Sequence, residues 1–141
     1  LAAVAIPKIN ATRDDAEKVK SAQNIVTLIG DLGSYYTAQG QFASDIKTMT
    51  NVAFSTTTPA SKTTGATGEL KIGSTKDCLK VELNSGGDGK VKLTGKTGTG
   101  ISKACSETLG LSTVQAAVGG VDLTKNPATI DFAASGVKLN F

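Results

Sequence analysis

The chain has 141 residues, a formal net charge of +3, 39% hydrophobic residues, 16 Gly, no Trp and no His. That length and balance suit a single globular domain, and scarce aromatics with abundant Gly predict a body rich in strands and loops. The charge is too small to argue for nucleic acid by itself, and no run reaches the roughly 18 apolar residues that cross a bilayer. Without His, general acid-base or nucleophilic catalysis has no recognisable set of partners, so an enzyme is not expected and no cofactor is implied.

Leu1 to Phe42 reads as one long helical pattern. Leu1, Ala2, Ala3, Val4, Ala5 and Ile6 are apolar on every side, and Pro7 lacks the donor for a bond to Ala3, which predicts a kink there. Charges then begin abruptly. Arg13 with Glu17 and Asp14 with Lys18 stand four apart, each pair worth about 0.2–0.5 kcal/mol on an exposed helix face. Val19, Ala22, Ile25, Val26, Ile29, Leu32 and Tyr36 recur at intervals of three and four, an apolar stripe suited to helix–sheet packing. Gly30 and Gly33 weaken the helix by up to about 1 kcal/mol each relative to Ala, and close approach to a sheet is the expected reason for both. The helix should end near Thr37, with Gln39, Gly40 and Gln41 as its exit turn.

Ser44 to Met49 reads as a short second helix capped by Ser44. Ser55 to Gly68 is polar and of low complexity, offers little to bury, and is expected as a solvated loop. From Glu69 the period becomes two. Leu70 and Ile72, then Leu79, Val81 and Leu83, then Val91 and Leu93 alternate with polar residues and predict half-buried strands. Pairing Asn84 with Lys90 sets Leu83 beside Val91, Val81 beside Leu93, and Glu82 opposite Lys92 on the other face. Ser85 to Gly89 is then the hairpin loop. Cys105 lies in a segment able to form a helical turn up to Leu109, while Leu111 to Ala117 suits strand or helix equally. Thr129 to Phe132 and Val137 to Phe141 predict a terminal hairpin.

Three patterns invite chemistry. Gly95-Lys96-Thr97 has the end of a phosphate loop, but the required Gly five residues before Gly95 is Lys90. Asn84 to Gly89 has one carboxylate, and the twelfth position of a calcium loop, which needs a Glu, falls on Gly95. Lys71, Lys76, Lys80, Lys90, Lys92, Lys96 and Lys103 outnumber Asp77, Glu82 and Asp88, a basic stretch that suits phosphate contacts to DNA or, more simply, a solvated strand face guarded against edge association. Cys78 and Cys105 are the two cysteines. They are either a free buried pair or a disulfide, and the missing His and the wide spacing disfavour a metal site.

The LAAVAIPK opening and the charged, Ala-containing helix behind it resemble the N-terminal segment of type IV pilins and the related pseudopilins. Tyr35, Tyr36, Gly40 and Phe42 resemble that family's helix exit. The likeness covers Leu1 to Phe42 and lacks the leader, cleavage site and early carboxylate, as in a member trimmed upstream. It implies an α+β domain in which a long N-terminal helix packs on an antiparallel sheet of about four strands. Residues 1–18 would protrude, residues 19–42 would pack on the sheet, and residues 43–141 would form the globular remainder.

It also implies a Cys78 to Cys105 disulfide, worth about 3.5 kcal/mol by the chain-entropy model. The function implied is that of a structural subunit of a type IV pilus, a cell-surface filament for adhesion, motility or DNA uptake. Leu1, Ala2, Ala3, Val4, Ala5, Ile6 and Pro7 would be its assembly surface. Its partners would be copies of itself, pilus or secretion assembly machinery, and the inner membrane through an upstream apolar segment. A lysine-rich face on one copy would meet Asp14, Asp15, Asp31 or Asp45 of a neighbour. A type II secretion pseudopilin is the near alternative, and a soluble adhesin or DNA-binding module the distant one.

Overall fold

The computed structural model describes residues 13–84 and 89–133. The kink expected at Pro7, the tip of the hairpin loop at Ser85 to Asp88 and the strand expected at Val137 to Phe141 lie outside these residues.

Helix α1 runs Arg13–Gln39, about 40 Å at 1.5 Å per residue. It ends where Gly40 takes φ 75° and donates its N–H to the Tyr36 carbonyl at 2.7 Å, a left-handed exit that Gly accepts without steric cost. One face carries Ser21, Ala22, Ile25, Leu28 and Leu32, all buried. The second helix expected over Ser44 to Met49 is a single 3-10 turn, Ile46–Thr48, and its cap is Asp45, whose carboxylate accepts from Lys47 N–H at 3.0 Å. An Asp one residue later in the chain has taken the capping role expected of Ser44.

Among the described residues five strands form one antiparallel sheet in sequential order, where about four were expected. They are β1 Thr56–Thr58, β2 Thr67–Ile72, β3 Thr75–Leu83, β4 Lys90–Gly95 and β5 Ala128–Asp131. Between β3 and β4 the register sets Leu83 against Val91, Glu82 against Lys92 and Val81 against Leu93, and Asn84 N–H reaches the Lys90 carbonyl at 2.9 Å. Leu70, Ile72, Leu79, Val81, Leu83, Val91 and Leu93 face inward and are buried. Lys71, Lys80, Lys90 and Lys92 face out. The extra strand is β1, inside the segment expected to be a solvated loop. Its three threonines suit an extended, half-exposed backbone, and Ser55 seats it through bonds to the carbonyls of Glu69 and Lys76.

Two short helices complete the core, α2 Lys103–Leu109 and α3 Ser112–Ala117, which resolves the ambiguous segment as helical. The backbone of α1 neighbours α2 and α3 more extensively than it does β2, so the helix does not rest on the sheet alone. Ser102 caps α2, accepting from Cys105 N–H at 3.2 Å and donating to the Ile72 carbonyl at 3.0 Å. Cys78 of β3 and Cys105 of α2 are joined as a disulfide, Cα to Cα 5.8 Å, and both are buried.

Candidate interaction surface

The stripe read from sequence divides in two. Ala22, Ile25 and Leu32 are buried, Ile29 and Tyr36 partly so, but Val19 is 63% and Val26 44% exposed. Those two valines do not pack on the domain's own interior. Leu28, absent from the expected stripe, occupies the core line between Ile25 and Leu32 and is fully buried. Its signal was in the chain, three residues after Ile25 and four before Leu32, and a narrower stripe centred there would have found it.

Val19, Gln23, Val26, Gly30, Gly33 and Thr37 follow one another at alternating steps of four and three, which places them along one line of the helix. On α1 the exposed residues from Gln23 through Ala38 are Gln23, Val26, Thr27, Gly30, Ser34, Thr37 and Ala38. None is charged. A solvated helix face ordinarily carries Lys and Glu. Asp31, the acid within this stretch, accepts a hydrogen bond from Thr50 Oγ1 at 2.6 Å.

The glycines shape the far end of this seam. A shallow depression of about 580 Å³ lies between α1 and Phe132, lined by Ile29, Gly30, Gly33, Thr37, Ala38 and Phe132. A Cβ at Gly33 would lie 3.0 Å from the Phe132 ring, so this glycine does serve close approach. Gly30 does not, because a Cβ there would meet nothing within 4 Å.

Charges gather at the other end of α1. Lys18 Nζ reaches Glu107 of α2 at 2.9 Å and Asp15 at 3.4 Å, and its pKa is raised chiefly by the Glu107 hydrogen bond. Glu17 accepts from Gly73 N–H at 3.4 Å. Leu1 to Pro7, the expected assembly surface, lie outside the described residues.

The motif candidates resolve into local structure. Lys96 pairs with Asp77 at 2.9 Å, a hydrogen bond that holds the Asp77 carboxyl below its usual range. Lys96 also donates its N–H to the Cys78 carbonyl, so the Gly95-Lys96-Thr97 segment runs beside β3. Asp122 accepts from both the side chain and N–H of Thr124, at 2.6 and 2.9 Å, which lowers its pKa. Among the described residues no group of three His, Cys, Asp or Glu is placed to hold a metal ion, and no helix is long and apolar enough to cross a membrane. The chain matches no family model, no curated protein and no solved structure.

Proposed function

We propose that this chain is a structural subunit of an extracellular helical filament of the type IV pilus kind, in which α1 is the element that neighbouring copies cover. The observation that carries the reading is the uncharged line from Val19 to Thr37 on a helix whose opposite face is buried, with two exposed valines toward one end and a glycine-lined depression at the other. A charge-free helix face that carries two exposed valines and a shallow depression offers a surface that another molecule can cover without burying charge. Because the valines and the depression are different patches at different levels of the helix, a contact between them is heterologous, and such a contact builds an open filament where its rotation does not close. The Cys78–Cys105 bond suits an oxidising, extracellular setting.

The test is to replace Val19 and Val26 together by Glu in the full-length protein, in the cell that makes it. Loss of surface filaments in electron micrographs, with an unchanged circular dichroism spectrum of the 141-residue chain, is the expected result. Filaments of normal number and length, or filaments made without this chain, would overturn the reading.

A further inference from the structure

Where α1 ends, the chain folds back and leaves a cleft of about 540 Å³ between the exit of the helix and the segment that leads into β2. The volume falls within the roughly 300–1,000 Å³ of small-molecule sites. Its inner lining is apolar, with Tyr35, Phe42, Ala43 and Ala60 half-buried over buried Ala66 and Leu83. Its rim is polar, with Gln41, Ser44, Ser61, Thr64 and Asn84 all exposed. None of these residues carries a charge at neutral pH.

Successive residues of a helix are about 100° apart, so Tyr35 stands about 200° around α1 from Gly33. The cleft is therefore on the other side of the helix from the α1 seam. A separate depression of about 400 Å³, which holds Lys90 and Lys92, lies across the wall formed by Thr64 and Gly65.

The cleft is built before a ligand arrives. The Ser44 carbonyl accepts from Ala60 N–H at 2.7 Å, a bond that ties the two banks together. Ser61 Oγ accepts from the N–H groups of Thr63 and Thr64 at 3.3 and 3.2 Å, which closes the far bank into a tight turn. Gly65 is seated so closely on β3 that a Cβ there would collide with the Leu83 carbonyl oxygen. The Phe42 ring packs on Tyr36, centroids 5.1 Å apart, and on Phe132 at 6.3 Å. Banks fixed in this way lose little conformational freedom on binding.

The chemistry of the lining narrows the ligand. A charged group taken into the cleft would be desolvated with no opposite charge to meet it, which favours a neutral molecule. A wholly apolar one would leave the hydroxyls and amides that it covers unpaired. A neutral sugar ring meets both parts of the lining, since its C–H face packs on aromatic or aliphatic surface while its hydroxyls reach hydrogen-bonding groups around the edge. We infer that this cleft binds a neutral sugar, its ring face on Tyr35 and Ala60 and its hydroxyls on Gln41, Thr64 and Asn84. The inference stands whether or not the chain forms filaments.

The probes are the methyl glycosides of glucose, galactose, mannose and N-acetylglucosamine. Each is titrated to about 50 mM against the isotope-labelled 141-residue chain and followed by two-dimensional NMR, a range that detects millimolar affinity. With at least one of the four, shifts centred on Tyr35, Gln41, Ala60, Thr64 and Asn84 are expected. Binding of that sugar should be at least fivefold weaker in Ala60→Leu, whose side chain takes up the space, and at least threefold weaker in Gln41→Ala, a change at an exposed position of the exit turn. It should be unchanged in Lys92→Gln, across the wall. Methyl glucuronide, a ring of the same size with a carboxylate, should bind at least fivefold more weakly than the best neutral probe.

Absence of shifts with all four sugars at the highest concentration would overturn the proposal, and so would binding that both cleft variants leave unchanged. Equal or tighter binding of methyl glucuronide would overturn it as well. Tighter binding of indole than of any sugar at the same residues would do the same and make the cleft an apolar site.

Discussion

Thr108 is buried in α2, and among the described residues its Oγ1 has no hydrogen-bond partner. A hydroxyl held from water with nothing to bond loses about 1–3 kcal/mol of solvation that an apolar group of the same shape would not. Thr108→Val is therefore expected to raise the urea midpoint by an amount equal to about 1 kcal/mol or more of stability. Gly30 and Gly33 separate two roles the sequence presents alike. Gly30→Ala gains helix propensity at an open position and should stabilise by about 0.5–1 kcal/mol, whereas Gly33→Ala gains the same propensity but must displace Phe132, 3.0 Å away. Its net effect should be smaller or reversed, and thermal unfolding of the two variants measures the difference.

The titrations have a sign as well. Asp77 and Asp122 have lowered pKa values, so their contribution is present above the ordinary carboxylate value and is lost as pH falls through the lowered one. Lys18 has a raised pKa, so its contribution is present below the ordinary lysine value and is lost as pH rises through the raised one. Asp122→Asn should flatten the acid side of the stability-against-pH curve and leave the alkaline side as it is.

Among the elements, the β3–β4 hairpin was the most legible, since alternation in both strands and matched apolar residues on one face allow a single register. The register expected for Leu83, Val81 and Glu82 is the one observed. β1 was not legible, because Thr56 to Thr58 have no apolar alternation and their strand exists through what Ser55 and β2 do for them. α3 was ambiguous because six residues are too few for either period to declare itself. In α1 the periodicity was clear and the stripe too wide: Val19 and Val26 fit a step of three or four from core residues yet lie to one side of the line through Ile25, Leu28 and Leu32. Apolar character alone does not say whether a residue faces its own interior or another molecule.

Two ties hold these elements together. Losing the Cys78–Cys105 bond, whose ends are 27 residues apart, should destabilise by about 3.5 kcal/mol if the chain-entropy account holds, and a Cys78→Ser, Cys105→Ser double variant compared by urea unfolding gives the figure. Ser102→Ala removes the α2 cap and its bond to Ile72, with an expected loss of about 1–2 kcal/mol.

At the scale of the whole molecule the two faces of α1 differ in composition. The inner face closes a core with α2, α3 and the sheet, and the outer face from Gln23 to Ala38 is uncharged, with small and polar residues around Val26. The outer sheet face is basic, with Lys71, Lys80, Lys90 and Lys92 exposed. A filament that covers the α1 seam and leaves the sheet outward would use both. The most direct test places a single reporter thiol on each face, Val26→Cys on the seam and Thr129→Cys on the sheet, in the full-length protein. Maleimide labelling is then compared between the free domain and assembled surface filaments. The expected result is that Val26→Cys labels readily when free and is protected when assembled, while Thr129→Cys labels in both. Equal labelling of Val26→Cys in the two states would contradict a buried α1 seam and with it the filament account.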